Sequence, residues 1–346
     1  MTTSLLEQEI NEQPRVIQQL LDQETEPVTH LATRLRDSFD YILIAARGTS
    51  DNAARYAQYI FGIHNHLTVA LAAPSLFTFY DQPPRLTGAL VIGISQSGQS
   101  PDIRAVIAEG RRQGRPTLAI TNDPASPLAT AAEYTIPLHA GPERAIAASK
   151  TYTASLGVLA LFSAGLAGDT ERLKQLRRLP ELMGRSLLAL EPVKARIERY
   201  RFMNHCVVIG RGYNYATAFE IALKMKELNY LLIDAYSSAD FQHGPIAVIE
   251  QGFPTLLVAP SGDVYPDMLG LARELCDRGA ELIAISDRPE ALDMAVTPLQ
   301  LPVTVPEWLS PIICVIPGQL LAHDLTLAKG YDPDHPRGLR KVTLTK

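Results

Sequence analysis

The chain has 346 residues, of which 46% are hydrophobic and 20% are charged, and its formal net charge is -5. This is the composition of an ordinary globular protein, and the length favours two domains over one. No stretch is strongly basic, so the clustered Lys and Arg side chains that neutralise nucleic-acid phosphates are missing, and we expect no nucleic-acid partner.

The first predicted element is an acidic, amphipathic helical segment, MTTSLLEQEINEQPRVIQQLL. It lacks the basic and apolar regions of a signal peptide, and no later run reaches the roughly 18 apolar residues of a membrane span. Cys206, Cys276 and Cys314 lie in apolar or helical patterns without paired or metal-ligand spacing, which is typical of reduced packing residues. We therefore expect a soluble, cytoplasmic protein without a membrane partner or a metal.

Four short apolar runs then alternate with longer helical patterns. The runs are bounded by Gly, Ser or Asp, as buried strands are. They are YILIAA (41–46), ALVIGI (89–94), PTLAIT (116–121) and EYTIPL (133–138). The segments DNAARYAQYIFGIHN and PDIRAVIAEGRRQG have the pattern of crossover helices, so the alternation predicts a parallel sheet with helices on both faces.

A second set of strands follows and looks like a copy of the first. Its apolar runs are HCVVIG (205–210), TLLVAP (255–260), ELIAIS (281–286) and MAVTPLQL (294–301). AARG at 45 matches IGRG at 209, and SGQSPDIRAVIAEGRRQG at 97 matches SGDVYPDMLGLARELCDRG at 261. Because this spacing stays nearly constant across a loop, a helix and a strand, it indicates duplication of a whole domain.

Two loops of the first copy are candidates for binding a ligand. GTSDN (48–52) and SQSGQS (95–100) each follow a predicted strand and lead into a predicted helix. Ligands of open α/β sheets bind at such loops, and helix N-termini offer N–H groups and a positive dipole end that suit phosphate. The candidate residues are Gly48, Thr49, Ser50, Ser95, Gln96, Ser97 and Ser100.

The alternative is that these serines only cap helices and form tight turns, which is the commoner role of a single Ser-Gly pair. The equivalent loop of the second copy, APSGDVYPD, has lost the hydroxyl cluster and carries an acid and Tyr265. A requirement of the fold would act on both copies, so hydroxyl groups in one copy indicate a ligand. Neither loop has the P-loop lysine or G-x-G-x-x-G spacing, which favours a small phosphate ester over a nucleotide.

Six ordered motifs resemble a known family. They are ARGTSDNAARYAQYIF, SQSGQSPDI, AASKTYT, GRGYNYATAFEIALKMKELNY, DFQHGPIAVIE and HPRGLRKVTLT. Together they resemble the isomerase half of glucosamine-6-phosphate synthase, and more closely still the free-standing sugar-phosphate deaminases with two SIS (sugar isomerase) domains. The resemblance implies an α/β fold of two tandem SIS domains, each a flavodoxin-like, three-layer αβα unit with a parallel sheet.

The predicted organisation has five parts. They are an N-terminal helical segment (1–30), a phosphate-binding SIS domain (31–170), linking helices (171–200), a second SIS domain (201–330) and a polar tail (331–346).

The resemblance also implies a role for each matching position. The residues that hold the sugar 6-phosphate match Ser50, Ser95, Gln96, Ser97 and Ser100. Residues that bind sugar hydroxyls, in part through main-chain groups, match Ile146 and Ala148. Ala148 stands where the synthase has a serine, so that side-chain contact is not carried over.

Three further positions match residues that act on the sugar itself. Glu227 of KMKE matches the carboxylate that moves a proton between C1 and C2. His243 of QHGP matches the histidine linked to ring opening, which the neighbouring subunit contributes. Lys341 of PRGLRK matches the lysine of the C-terminal tail that contacts the open-chain sugar. The family therefore implies a homodimer with shared active sites.

Residue patterns alone leave other interpretations open at these positions. Glu227 follows Lys224 and Glu220 on one helical face, so it could be a solvated member of a charge network. His243 lies in a Gly-Pro turn where a structural histidine is equally common. Lys341 lies in a charged tail that would ordinarily be disordered, although the apolar VTLT after it predicts docking as a short strand or strap.

The expected reaction is deamination. The chain begins MTTSLL, with no nucleophilic Cys and no room for a glutaminase before the sugar domain, which disfavours glutamine-dependent synthesis. The leading hypothesis is a deaminase that converts glucosamine 6-phosphate to fructose 6-phosphate and ammonia, without metal or organic cofactor. The alternatives are the isomerase subunit of a synthase that borrows a separate glutaminase, a fructosamine-6-phosphate deglycase and a non-catalytic sugar-phosphate sensor.

Overall fold

A computed structural model of the chain describes residues 3–190 and 194–341. The chain divides into two compact units. The first unit comprises Gln13–Glu143, Lys150–Pro180 and the C-terminal stretch from Arg340. The second unit comprises the N-terminal stretch up to Glu12, Arg144–Ser149 and Glu181–Leu339.

The first unit is built on a sheet of five parallel strands. These are β1 (Tyr41–Ala45), β2 (Thr68–Leu71), β3 (Ala89–Ile94), β4 (Thr117–Thr121) and β5 (Tyr134–Pro137). They pair in the order β2-β1-β3-β4-β5. Strands β3 and β4 are buried along their whole length, which explains why they are continuous apolar runs in the sequence.

Helices cover both faces of this sheet. After α1 (Leu5–Asn11) of the second unit, the helices are α2 (Gln13–Leu35), α3 (Thr49–Asn65), α4 (Ser75–Thr78), α5 (Pro101–Arg112), α6 (Pro127–Ala131), α7 (Lys150–Ala167) and α8 (Thr170–Leu176). The crossovers through α3 and α5 run in opposite directions along the sheet. Because such crossovers are right-handed, these two helices lie on opposite faces.

The second unit repeats this arrangement. Its strands are β6 (His205–Gly210), β7 (Leu232–Ser237), β8 (Pro254–Val258), β9 (Glu281–Ser286) and β10 (Thr297–Gln300). They are parallel and pair in the order β10-β9-β8-β6-β7, which is the order of the first sheet transposed to the second copy. The remaining helices are α9 (Leu179–Leu190), α10 (Lys194–Ile197), α11 (Tyr215–Asn229), α12 (Ser238–Gln242), α13 (Tyr265–Asp277), α14 (Pro289–Leu292) and α15 (Ser310–Ala328).

The predicted fold class is confirmed, and all eight predicted strands are present. Two strands were not predicted, β2 and β7, and each is an edge strand beside the first strand of its sheet. The predicted domain limits stay predictions. Of the predicted tail, VTLT (342–345) lies outside the described residues.

One helical stretch of the described residues, Glu307–Ala328, is long and apolar enough to span a membrane by length and composition. The sequence alone predicts no segment of this kind, since Pro317, Gly318 and Gln319 interrupt the apolar run. The helix α15 continues through these residues, so the helical stretch is longer than the apolar run. Most of its side chains are buried, and α15 packs against α11. It therefore has the burial of a core helix.

Candidate functional site

The two predicted ligand loops lie side by side in the first unit. The sheet changes its winding direction between β1 and β3, where Ala45 pairs with Gly93 near the carboxyl ends of the strands. Ligands of doubly wound sheets bind at this switch point. We call the residues that follow these strands, 47–50 and 95–100, the first cradle.

In the first loop of the cradle, a glycine turns the chain into α3. Gly48 has a φ of 53° and occupies the N-cap position without a side-chain cap, which suits a residue that has no Cβ. The Ser50 N–H donates to the Arg47 carbonyl at 3.0 Å. Thr49 and Ser50 are partly buried in the first turn of the helix.

In the second loop, some hydroxyl groups serve the turn. The Ser95 hydroxyl accepts from the Gly98 N–H at 3.2 Å, and the Ser97 hydroxyl accepts from the Gln99 N–H at 3.3 Å. The Gln96 carbonyl accepts from the Asn122 N–H at 3.1 Å. The turn alternative therefore describes part of what Ser95 and Ser97 do.

Gly98 fits the interpretation of this loop as a tight turn, whereas Ser100 does not fit its interpretation as a helix cap. Ser100 is the N-cap residue of α5, yet its side chain makes no capping hydrogen bond. Gly98 has a φ of 62°, and a Cβ there would lie 2.1 Å from the Ser126 Oγ. The glycine is thus required for the shape of the loop, whereas the Ser100 hydroxyl is not required for the cap.

An ion pair joins the two loops, and it was not predicted. The Arg47 Nε donates to the Asp102 Oδ2 at 2.8 Å. The Asp102 side chain is wholly buried, and that of Arg47 is 51% exposed. The sequence feature that could have pointed to this pair is that both residues recur in the second copy, as Arg211 and Asp267.

A second carboxylate lies in the first turn of α3. Burial raises the pKa of Asp51, while the nearby Arg55 and Arg47 guanidinium groups act against that rise. Arg55 contacts Asp51 at 3.4 Å. Opposite charges therefore lie beside the cradle, next to the neutral donors predicted from its serines.

In the equivalent loop of the second unit, protein carboxylates accept hydrogen bonds from the main chain. We call residues 211–214 and 260–265 the second cradle. Asp287 accepts from both the N–H and the hydroxyl of Ser261, each at 2.7 Å. Glu307 accepts from the Asp263 N–H at 2.8 Å. Carboxylates of the chain itself therefore occupy N–H donors in the copy that has lost its hydroxyl cluster.

Lys341 is fixed within the first unit. Its Nζ donates to the Glu143 Oε2 at 2.8 Å, and the Glu143 side chain is wholly buried. Glu143 also accepts from the N–H of Thr151 at 3.1 Å and from its hydroxyl at 2.8 Å, at the start of α7. The structure therefore gives Lys341 a defined partner, which fits a docked tail better than a disordered one at this residue.

Glu227 lies at the edge of a buried charge network in the second unit. The Lys224 Nζ lies 2.6 Å from the Glu227 Oε2 and 3.6 Å from the Glu220 Oε1. Lys224 is 2% exposed, Glu220 is wholly buried and Glu227 is 26% exposed. The predicted i, i+3, i+4 network exists, but it is buried rather than solvated, so its charges depend on one another for neutralisation.

The other candidate residues of the second unit are more exposed. His243 follows α12 and is exposed, and its ring has no hydrogen-bond partner within residues 3–190 and 194–341. A structural histidine would be held by such a partner. Ile146 and Ala148 are partly exposed and alternate with the buried Ala145 and Ala147.

The described residues include no group of three or more His, Cys, Asp or Glu side chains that could hold a metal ion. Cys206 and Cys314 are buried free thiols, and burial raises the pKa of Cys206 to about 12. A thiol of that pKa is protonated at neutral pH and is a poor nucleophile.

Comparisons with known proteins agree with this architecture. The SIS domain model matches residues 36–164 and 201–301. An isomerizing glutamine–fructose-6-phosphate aminotransferase of Thermococcus kodakarensis is 34% identical over 96% of this chain and 56% of its own length. The chain thus spans about half the length of the curated relatives it matches.

Two solved structures share the fold over nearly the whole chain. The C-terminal domain of the glucosamine-fructose-6-phosphate aminotransferase of Francisella tularensis has a TM-score of 0.87 at 26% identity, covering 97% of this chain and 98% of that one. A glucosamine-6-phosphate deaminase of Thermotoga maritima has a TM-score of 0.78 at 20% identity, covering 99% and 100%. The second likeness concerns the fold alone. From the family match and the relatives together, the chain belongs to the SIS domain family.

Proposed function

We propose that this chain isomerises an amino-sugar 6-phosphate, interconverting glucosamine 6-phosphate with fructose 6-phosphate and ammonia. The observation that carries the proposal is the contrast between the two cradles. The first keeps its hydroxyl groups, whereas Asp287 and Glu307 occupy N–H donors of the second. The names of the aminotransferase relatives support the choice of sugar, and we propose only the sugar-isomerising part of their activity for this chain.

The phosphate would be held by the first cradle. The hydroxyl groups of Thr49, Ser50, Ser97 and Ser100 and the N-termini of α3 and α5 are donors of the kind that bind a phosphate dianion. Ser95 and Gln96 shape the second loop through the hydrogen bonds described above. Binding at the phosphate anchors the sugar without taking part in its chemistry.

Glu227 would be the base of the isomerisation. After the ring opens, the carboxylate removes the C2 proton of the aldose and returns it to C1, which gives the ketose imine. Water then adds to the imine, and ammonia leaves with fructose 6-phosphate as the second product. Lys224 orients the carboxylate through a 2.6 Å contact, and general-base transfer of this kind contributes about 100- to 10,000-fold to rate.

The remaining residues complete the proposed site. His243 would assist ring opening in the neighbouring subunit, and its exposed position is compatible with that role. Lys341 would contact the open-chain sugar, and Ile146 and Ala148 would bind its hydroxyls in part through the main chain. We further propose a cytoplasmic homodimer that needs neither a metal nor an organic cofactor.

The names of the relatives bear on whether the proposed isomerase works in deamination or in synthesis. Deamination and synthesis from ammonia pass through the same imine, so one site catalyses both. The relatives at 34% and 26% identity are named aminotransferases, which supports an isomerase of the synthase type over a dedicated deaminase. Deamination stays a prediction.

The test is to supply the purified chain with each possible substrate pair. We expect ammonia release from glucosamine 6-phosphate and glucosamine 6-phosphate formation from fructose 6-phosphate with ammonium. Formation with glutamine only after a separate glutaminase is added would identify a synthase subunit. Turnover of fructosamine 6-phosphate but not of glucosamine 6-phosphate would replace the proposal with a deglycase.

A Glu227→Gln variant separates an enzyme from a sensor. The enzyme should keep its affinity for fructose 6-phosphate and lose about 100-fold or more in kcat, because the amide cannot accept the C2 proton. Glu274→Gln is the matched control, since Glu274 forms an exposed ion pair with Arg278 on α13 of the same unit. Sugar-phosphate binding by the wild type without any turnover would indicate a sensor.

A further inference from the structure

We infer that the Arg47 guanidinium, fixed by Asp102, binds the phosphate of the substrate between the two loops of the first cradle. The inference rests on the proposed function, because it takes the ligand to be a sugar 6-phosphate. Arg47 would be the cation of a cradle whose other donors are neutral.

The position of Arg47 is the first observation. It directly precedes the Gly48 turn after β1, and Asp102 lies two residues after Ser100, in the first turn of α5. Their 2.8 Å ion pair therefore ties the β1 loop to the β3 loop across the switch point. A guanidinium held in this way is pre-organised, so less side-chain entropy is lost when an anion binds.

The unused donors of Arg47 are the second observation. Its Nε serves Asp102, and within the described part of the chain its Nη atoms have no hydrogen-bond acceptor. The side chain is 51% exposed. A sugar phosphate carries a charge of about -1.5 to -2 at pH 7, and Arg binds such oxygens with paired N–H groups.

The second copy argues against a purely structural role. Arg211 and Asp267 occupy the equivalent positions there. Arg211 donates to the hydroxyls of Ser237 and Ser238, at 3.4 and 3.5 Å, and Asp267 accepts from the Ser238 hydroxyl at 2.5 Å. A hydroxyl group thus satisfies the acid in that copy, so the fold does not need the arginine–aspartate pair. The pair forms where the cradle keeps its hydroxyl groups.

The experiment measures binding, separately from turnover. Inorganic phosphate, fructose 6-phosphate and unphosphorylated fructose are titrated by calorimetry into the wild type and into Arg47→Gln, at low and moderate ionic strength. We expect the variant to bind both phosphates at least about tenfold more weakly, with a weaker dependence on salt. The phosphate affinity of Arg47→Lys should lie between those of the wild type and Arg47→Gln, because an ammonium keeps the charge but lacks the planar paired donors.

Two further variants separate binding from folding. The double variant Arg47→Gln with Asp102→Asn removes the cation together with the charge of its carboxylate partner, and it should show the same loss of affinity. Arg112→Gln is the control, because the Arg112 side chain is 70% exposed and pairs with Glu109 on the same helix, α5. It should bind phosphates like the wild type.

The outcomes distinguish this inference from the proposed function. Unchanged affinity for phosphate and fructose 6-phosphate in the double variant would overturn the inference, as would a wild type that binds neither. Turnover by the wild type with an unchanged KM in Arg47→Gln would overturn it while the proposed function stood. Arg47-dependent binding without turnover of any sugar phosphate would refute the proposed function and leave the inference standing.

Discussion

Glu143 shows how one buried carboxylate can organise a candidate site. Two of its hydrogen bonds come from Thr151, where α7 begins, and a helix N-terminus stabilises an anion. The bond from Lys341 joins residues 198 positions apart. The carboxylate therefore has a fixed position, and its hydrogen bond positions the Lys341 ammonium.

Replacing Glu143 by Gln should lower kcat about tenfold and leave the affinity for inorganic phosphate unchanged, because the amide holds the Lys341 ammonium less firmly. The same change in a Lys341→Met background should have little further effect, since both act through one contact. Steady-state kinetics of the two single variants and the double variant measure this coupling. Glu171→Gln, in an exposed ion pair with Lys174, is the control. Additive losses would contradict the coupling.

His64 makes stability depend on pH. Burial and, to a lesser extent, the Arg172 guanidinium lower the pKa of His64 to about 4 against the opposing effect of Asp169. Between its usual pKa of about 6.5 and pH 4, the unfolded chain binds a proton that the folded chain does not. The free energy of unfolding should therefore fall as the pH drops through this window. Urea unfolding at several pH values measures this free energy. It should vary less with pH in His64→Gln than in the wild type, and an equal variation in both proteins would show that His64 is not the group responsible.

The sequence could indicate candidate residues but not their partners. Ser95, Ser97 and Glu227 belong to recognisable motifs with local neighbours. Arg47 and Asp102 are 55 residues apart, and Glu143 and Lys341 are 198 apart. Such contacts depend on how strands and tail are arranged in space, which no local pattern contains.

At the scale of elements, the duplicated loops provide an internal control. Ser97→Ala should raise the KM for the sugar phosphate about two- to tenfold with little change in kcat, because the loop is proposed to bind the phosphate and to take no part in the chemistry. Ser261→Ala, at the equivalent position of the second copy, should leave KM unchanged, since its hydroxyl bonds to Asp287. Initial-rate kinetics on both variants test the contrast. Equal effects would show that the first loop has only a structural role.

Burial explains part of the difference between the strands that were predicted and the two that were missed. The inner strands β3 and β4 are wholly buried and so are continuous apolar runs, which the sequence displays plainly. Strand β2 has four residues, one of them buried, and β7 contains the exposed Leu232 and Asp234. The edge strands β5 and β10 have mixed burial too and were predicted, so burial alone does not explain why β2 and β7 were missed.

At the scale of the whole molecule, the proposed homodimer can be tested by mixing inactive variants. If His243 acts in the neighbouring subunit, a heterodimer of Glu227→Gln and His243→Asn chains contains one site with both residues intact. Equal mixing and reassociation should then restore about one quarter of wild-type activity, since half of the dimers are mixed and each has one good site. No recovery, or a fully active monomer by light scattering, would contradict the shared site.

The carboxylates in the second cradle have a consequence for how the protein responds to its ligand. Asp287 and Glu307 are tethered to the same chain, so their local concentration is far higher than that of any dissolved anion. These N–H donors of the second cradle are thus permanently occupied by an anion, whereas those of the first cradle would be occupied only in the proposed complex with substrate. Among the helix N-termini of the two cradles, ligand binding should therefore slow amide exchange at the starts of α3 and α5 and leave it unchanged at the starts of α11 and α13.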